Sequence, residues 1–286
     1  MIYRRRASPL HAARAAAGCA YCFALGVCAL LFQHPLTLVA VGIAVLGAAA
    51  AAGVARDVAR TARFTLPLAV LVALVNVLVV RDGLTVFARL GHVEPFGRLD
   101  LTAEALVVGL VLGLRVIVIV MCCALFTTAV DPDEVLRLFR RVSFRSALTA
   151  ALATRMVPVL ARDARRMADA RACRPNPGPR VAVLRAVASS ALDRAIDVAA
   201  TLEVRGYGGA HAARPRREPW SRHDIGFAAA AVAILALGIA ARASGIASFT
   251  AYPQLSAPVG AAEVALAVAL VAVALAPFAD RRGIER

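Results

Sequence analysis

The sequence predicts an all-α, polytopic membrane protein with about six transmembrane helices and a cytoplasmic pair of long amphipathic coupling helices. Three observations carry that expectation. Six apolar stretches approach the roughly 20 residues that a helix needs to cross some 30 Å of hydrocarbon. The chain of 286 residues is 60% apolar, against roughly 45 to 50% in ordinary soluble domains. Its 33 basic and 18 acidic residues lie mostly between the apolar stretches, and one such interval, 131–224, has apolar residues recurring at helical spacing.

In order, the expected spans are Ala15 to Phe32, Leu36 to Ala55, Phe64 to Val80, Ala105 to Val130, Ile225 to Ala241 and Val259 to Ala279. They divide the chain into an N-terminal membrane region (1–130, about four spans), a coupling-helix region (131–224) and a C-terminal membrane region (225–286, about two spans). Cytoplasmic loops keep an excess of Arg and Lys, which short translocated loops lack. Arg4, Arg5, Arg6 and Arg14 precede the first span, and Arg56, Arg60 and Arg63 follow the second. Only Gln33-His34-Pro35 joins spans one and two, and the third connection balances Arg81, Arg89 and Arg98 with Asp82, Glu94, Asp100 and Glu104. Residues 131–224 carry 18 Arg and ten acids, and Arg281, Arg282 and Arg286 follow the last span. Both termini and the insert are therefore expected in the cytoplasm of a bacterial inner membrane. Gly42, Gly47 and Gly53 in span two suit close helix packing.

Within the insert, Asp131-Pro132-Asp133-Glu134 has the composition of a helix start, with Asp131 as cap and Glu134 three residues after it. Ser146 to Arg171 reads as a helix with Leu148, Leu152, Met156, Leu160, Ala164 and Met167 on one face and an expected kink at Pro158. After Cys173-Arg174-Pro175-Asn176-Pro177-Gly178-Pro179, a further helix places Leu184, Val187, Ala191, Ala195, Val198 and Leu202 on one side, with Arg185, Arg194 and Asp197 mostly elsewhere. It is expected to stop at Gly206, since glycine tolerates the left-handed conformation that closes a helix. Each of these two helices ends in an Arg: Ala170-Arg171-Ala172 and Val204-Arg205-Gly206.

All 33 basic residues are Arg. Without Lys the chain has neither a Walker A phosphate loop nor a Schiff-base amine, so ATP hydrolysis is expected in other subunits. A basic protein invites a nucleic-acid reading, but aromatics make up only 6% of the chain and no stacking platform accompanies the charge. Topology and anionic membrane lipid account for the excess better. Cys19-x-x-Cys22 has metal spacing but lies on an apolar helix with no second pair, and no cofactor or metal is expected.

The chain resembles the transmembrane T component (EcfT/CbiQ-like) of energy-coupling factor transporters, the vitamin and metal importers of the ABC class. The most specific match is Ala200-Thr-Leu-Glu-Val-Arg-Gly-Tyr207, similar to the family's second Ala-Arg-Gly segment. The first such segment resembles Arg165-Arg-Met-Ala-Asp-Ala-Arg-Ala172. His34-Pro35, Asn76, Gly113-Leu-Arg115, Thr127-Thr128 with Pro132 and Glu134, and Arg155-Met-Val-Pro158 add support. Ala172 stands where Gly is usual and Val204 where Ala is usual. The resemblance implies a non-catalytic subunit. Ala170, Arg171, Ala172, Val204, Arg205 and Gly206, supported by Glu203 and Tyr207, would dock into two ABC ATPase subunits, and the apolar helix faces would pack on a substrate-binding S component in the membrane.

Two polar residues fall within spans, Arg115 and Asn76. A mid-span charge costs roughly 2.5 to 3.5 kcal/mol on insertion scales unless it is paired. Arg115 is read either as a functional anchor or as a structural partner of a carbonyl, Asn76 or Glu263. The alternative functions are a channel or secondary transporter with its own pathway, which these two residues would serve, or an intramembrane enzyme. The enzyme would need Asp-rich or His-Glu-x-x-His motifs, and the five His are scattered at 11, 34, 92, 211 and 223.

Overall fold

A computed structural model describes residues 6–79, 86–93, 97–139, 144–175, 179–206, 219–250, 260–280 and 282. They form two compact units, Met1–Val135 with Trp220–Arg286, and Leu136–Pro219. The first contains α1 (Pro9–Ala12), α2 (Ala15–Leu31), α3 (Pro35–Ala51), α4 (Ala55–Val79), a hairpin of β1 (Val86–Val93) and β2 (Gly97–Thr102), α5 (Ala103–Ala129), the start of α6 (Pro132–Phe139), α9 (Arg222–Ala243) and α10 (Ala261–Leu275), which runs on as a 3-10 turn, Ala276–Phe278. The second contains α7 (Phe144–Ala172) and α8 (Arg180–Val204).

The fold is that of an all-α polytopic membrane protein. Unanticipated elements are the short α1 and the antiparallel hairpin between α4 and α5, which pairs Val86 with Thr102 and Val93 with Gly97. Among the described residues, four helices, α4, α5, α9 and α10 with its turn, are long and apolar enough to cross a membrane. The helices α2 and α3 have 17 residues each and rise only about 25 Å. The largest shift from expectation is α4, which begins at Ala55 rather than Phe64. Its first turns are amphipathic: Val58 is buried, while Asp57 in the first turn meets Arg6 at 3.6 Å and suits the positive end of the helix dipole. The Arg6 guanidinium also donates to the carbonyl of Gly53, a residue held at φ +76°.

Small residues set how closely the membrane helices approach. A Cβ on Gly109 would stand 2.8 Å from the Ala73 carbonyl oxygen, and one on Gly113 would stand 2.9 Å from that of Ala69. Thus α4 and α5 pack backbone to backbone across Ala69-x-x-x-Ala73 and Gly109-x-x-x-Gly113, the arrangement that lets dispersion hold helices together in lipid. In α3, Gly42 faces Val118 and Gly47 faces Leu275, in line with the close packing expected of that span. Three aromatic rings cluster in the core. Tyr21, Phe227 and Phe278 meet edge to face with centroids 5.1 to 6.2 Å apart, and the buried Tyr21 hydroxyl donates to the Ala274 carbonyl at 2.8 Å.

Helix α2 supplies none of its own capping. Its N-cap is Arg14, whose side chain bonds none of its amides, so exposed N–H groups at this end must find acceptors elsewhere. Asp224, 2% exposed, accepts from Arg14 N at 2.7 Å and pairs with Arg14 Nε at 3.3 Å. The same carboxylate accepts from Ser221 N at 2.8 Å, and Asp224 N donates to Ser221 Oγ at 3.1 Å, forming the capping box of α9. Beside it, Glu134 Oε2 accepts from Ala15 N at 3.1 Å. At the far end of α2, Arg115 Nη2 donates to the Phe32 carbonyl at 2.6 Å.

Two predictions follow from this packing. Gly109→Ala and Gly113→Ala should each destabilise the protein by about 1 to 3 kcal/mol, because backbone cannot yield to an added methyl. Gly26→Ala, with no atom within 4 Å of the new Cβ, should instead gain up to about 1 kcal/mol of helix propensity. Thermal unfolding in detergent separates the two signs. The second prediction concerns His11, which is buried, with Nδ1 2.7 Å from Ser8 Oγ. Burial pushes its pKa down, the hydrogen bond to the Thr128 carbonyl partly opposes this, and Arg6 adds to the depression. A depressed His stays neutral in the fold and binds its proton only on unfolding. Its contribution is therefore intact above the ordinary value of 6.5 and is lost as pH falls below it. His11→Gln should flatten that acid limb of the stability curve.

Candidate functional site

The unit 136–219 is built around two amphipathic helices. In α7 the half-buried residues include Leu152, Met156, Leu160, Ala164 and Met167, the row expected from spacing, and the helix continues through Pro158. The side chain of Leu148 lies outside the described residues. In α8 the half-buried row is Val183, Val187, Ala191, Arg194, Val198 and Leu202. This corrects the face read from sequence in two ways. Arg194 belongs to the row packed on α7, where its Nη2 lies 3.2 Å from Asp163 Oδ2. Leu184 and Ala195 leave that row. Leu184 joins Val181, Leu192 and Ile196 in a second apolar stripe, each 61 to 69% exposed.

The two helix ends differ. Arg171 extends the half-buried row of α7, one turn beyond Met167, while Ala170 and Ala172 are exposed. The chain continues with Cys173 N bonded to the Asp169 carbonyl at 3.2 Å and Arg174 N to that of Arg171 at 3.2 Å, and no described residue there has a positive φ. Helix α8 closes as expected: Gly206 takes φ +73° and donates to the Glu203 carbonyl at 2.9 Å. Glu203, Val204, Arg205 and Gly206 are all exposed, and Val204 reaches 90%. Tyr207 lies outside the described residues. Asp163 and Arg194 precede Arg171 and Arg205 by eight and eleven residues, so each motif Arg stands about 12 to 17 Å along its helix beyond the ion pair.

Arg115 meets the Phe32 carbonyl, one of the carbonyl alternatives open at the outset. Glu263 instead accepts from Gly260 N at 2.9 Å. Asn76 is half-buried on α4 beside Leu71, Val72, Val75 and Val79, and its Oδ1 is enclosed without a hydrogen-bond partner among the described residues. Cys22, Cys28 and Cys122 are buried free thiols, and no group of three His, Cys, Asp or Glu that could hold a metal ion occurs among the described residues.

Sequence reasoning missed Asp224 and the inward place of Arg194; it put Glu134 in the first turn of α6, where it lies, without reading where its carboxylate bonds. The cap on α6 is as read, with Asp131 Oδ1 accepting from Asp133 N at 2.9 Å, but the Glu134 carboxylate bonds α2 instead. Ser221-x-x-Asp224 has capping-box spacing and was a legible signal for Asp224.

Apolar helices of spanning length joined to a pair of amphipathic helices define a multi-pass membrane protein. Residues 6–216 match the cobalt transport protein family CbiQ. The chain belongs to that family, and is thus a membrane transport protein. None of the curated proteins matches it.

The left-handed Gly206 generates a local prediction. Gly206→Ala meets no neighbouring atom, so it should cost only the strain of that backbone region, about 1 to 2 kcal/mol. Helical content near residue 204 followed by hydrogen exchange should fall, whereas Ala172→Gly should leave the end of α7 no more left-handed than before.

Proposed function

We propose that the chain is the T component of an energy-coupling factor importer in a bacterial cytoplasmic membrane, passing the motions of two ABC ATPase subunits to an integral-membrane S component that carries the substrate. The family's description favours cobalt as cargo. The observation that carries the reading is the α7 and α8 pair, tied by Asp163 and Arg194 and ending in Arg171 and Arg205. Arg suits docking onto acidic grooves because its planar fork makes paired bonds to carboxylate and keeps its charge when partly desolvated.

The exposed stripe Val181, Leu184, Leu192 and Ile196 supplies an apolar face for the S component, separate from the row that packs on α7. In this scheme both termini and the α7 and α8 unit are cytoplasmic, and α2 and α3 count among six spans despite their shortness. A channel with its own pathway would use Arg115, which here reaches a helix-end carbonyl through Nη2. Catalysis has no part in the scheme, since ATP is hydrolysed by the partners.

Arg171→Glu or Arg205→Glu should abolish co-purification of the ATPases or uncouple ATP hydrolysis from uptake. Removing one side of a desolvated charge pair costs on the order of 2 to 5 kcal/mol, at least a 30-fold loss of affinity. An intact complex with normal uptake in both variants sinks the docking assignment.

A further inference from the structure

The chain leaves the membrane unit once, after Val135, and returns once, at Trp220. A carboxylate stands within a few residues of each crossing, and both bond the same place. On the outgoing side, Glu134 accepts the Ala15 amide at 3.1 Å. On the returning side, Asp224 accepts the Arg14 amide at 2.7 Å and its guanidinium at 3.3 Å. Residues 134 and 224 are far apart in sequence, yet they hold adjacent amides at one helix N-terminus.

We propose that Glu134 and Asp224 are positioning residues that clamp both roots of the coupling unit to the N-terminus of α2, so that displacement of either root is delivered to α2. The proposal rests on the T-component reading above and names where, within this chain, the motion enters the membrane helices. Three features support it. Glu134 lies in the first turn of α6, a continuous helix from Pro132 to Phe139 that crosses into the coupling unit, and a helix transmits displacement better than a loop. Asp224 is also the N3 residue of the α9 capping box, bonded to Ser221 at 2.8 and 3.1 Å, so the returning chain cannot shift without disturbing the carboxylate. The far end of α2 is held by Arg115 on its Phe32 carbonyl, and between the ends Tyr21, Leu25 and Cys28 are buried in the core. An input at Arg14 and Ala15 therefore acts on a rod packed along its length. Helices with unsatisfied amides accept carboxylates at this end because the dipole is positive there.

The two halves are unequal. Asp224 is 2% exposed and makes three contacts to main-chain or guanidinium donors, whereas Glu134 is solvent-exposed and makes one. The larger effect is expected from Asp224.

The test uses the whole complex, purified through a tag on this chain and reconstituted into liposomes, with radiolabelled Co²⁺ as probe. Uptake per ATP hydrolysed is measured for wild type, Glu134→Ala, Glu134→Gln and Asp224→Asn, together with recovery of the ATPases and the melting temperature. With the complex intact and ATP hydrolysis continuing, Asp224→Asn should lower uptake per ATP by about tenfold, a typical coupling between sites. Glu134→Ala should lower it less, and Glu134→Gln, whose carbonyl can still accept the Ala15 amide, should restore most of it. Unchanged uptake per ATP in Glu134→Ala and Asp224→Asn overturns the clamp, as does a loss that merely parallels melting temperature and is not rescued by Gln. If Asp224→Asn fails to assemble, the Glu134→Ala and Glu134→Gln comparison decides alone, because position 134 is exposed and tolerates change. Absence of ATP-dependent Co²⁺ uptake in wild type overturns the coupling reading itself, a result distinct from failure of the clamp.

Discussion

The two ends of α2 constrain the rest of the membrane unit. A helix that stops short of the bilayer thickness leaves amides and carbonyls where water is scarce, and each unsatisfied group costs several kcal/mol in hydrocarbon. Neither Arg14 nor Phe32 caps α2 with its own side chain. Acids from α6 and α9 therefore close the positive end and an Arg from α5 closes the negative end, each charge with the sign the macrodipole favours. Moving α5, α6 or α9 relative to α2 would strand one of these charges, so the polar ends fix the arrangement that the apolar flanks only make favourable.

The same logic separates the polar residues of the spans. Arg115, part way along α5, donates through Nη2 to a helix-end carbonyl. The contact between α4 and α5 depends on shape: Gly109 and Gly113 bring backbone within van der Waals distance of Ala73 and Ala69. Directional bonds therefore position α2, while close packing joins α4 to α5. In lipid, where apolar surface gains little by leaving its solvent, both are needed.

How much was legible follows from whether a feature is local. The apolar runs, the Asp131 cap with Pro132 in the first turn, and the closing role of Gly206 depend on neighbours within a few residues, and the structure has each of them. The row from Leu152 to Met167 was readable because α7 has one apolar face. Helix α8 has two, and spacing cannot say which meets a partner, so Arg194 was placed on the wrong side and Leu184 on the inner one. The destination of Glu134, the partner of Arg115 and the bonds of Asp224 to Arg14 are long-range pairings with no local signature. The hairpin was missed because its segment, from Val86 to Thr102, has no steady alternation; its register is itself irregular between Arg89 and His92.

The absence of Lys takes on a physical meaning in this setting. Lys and Arg serve equally as markers of the cytoplasmic side, so topology alone does not require Arg. Three sites do draw on guanidinium geometry. Arg14 offers Nε to a carboxylate that already holds its own amide, Arg115 reaches a carbonyl through Nη2, and Arg194 reaches across a helix pair to Asp163. Each is partly desolvated, where the weakly hydrated guanidinium loses less than an ammonium would. Arg171 and Arg205 carry the same group to the ends of α7 and α8. A docking surface that buries them would exploit the property that already holds the membrane helices in register.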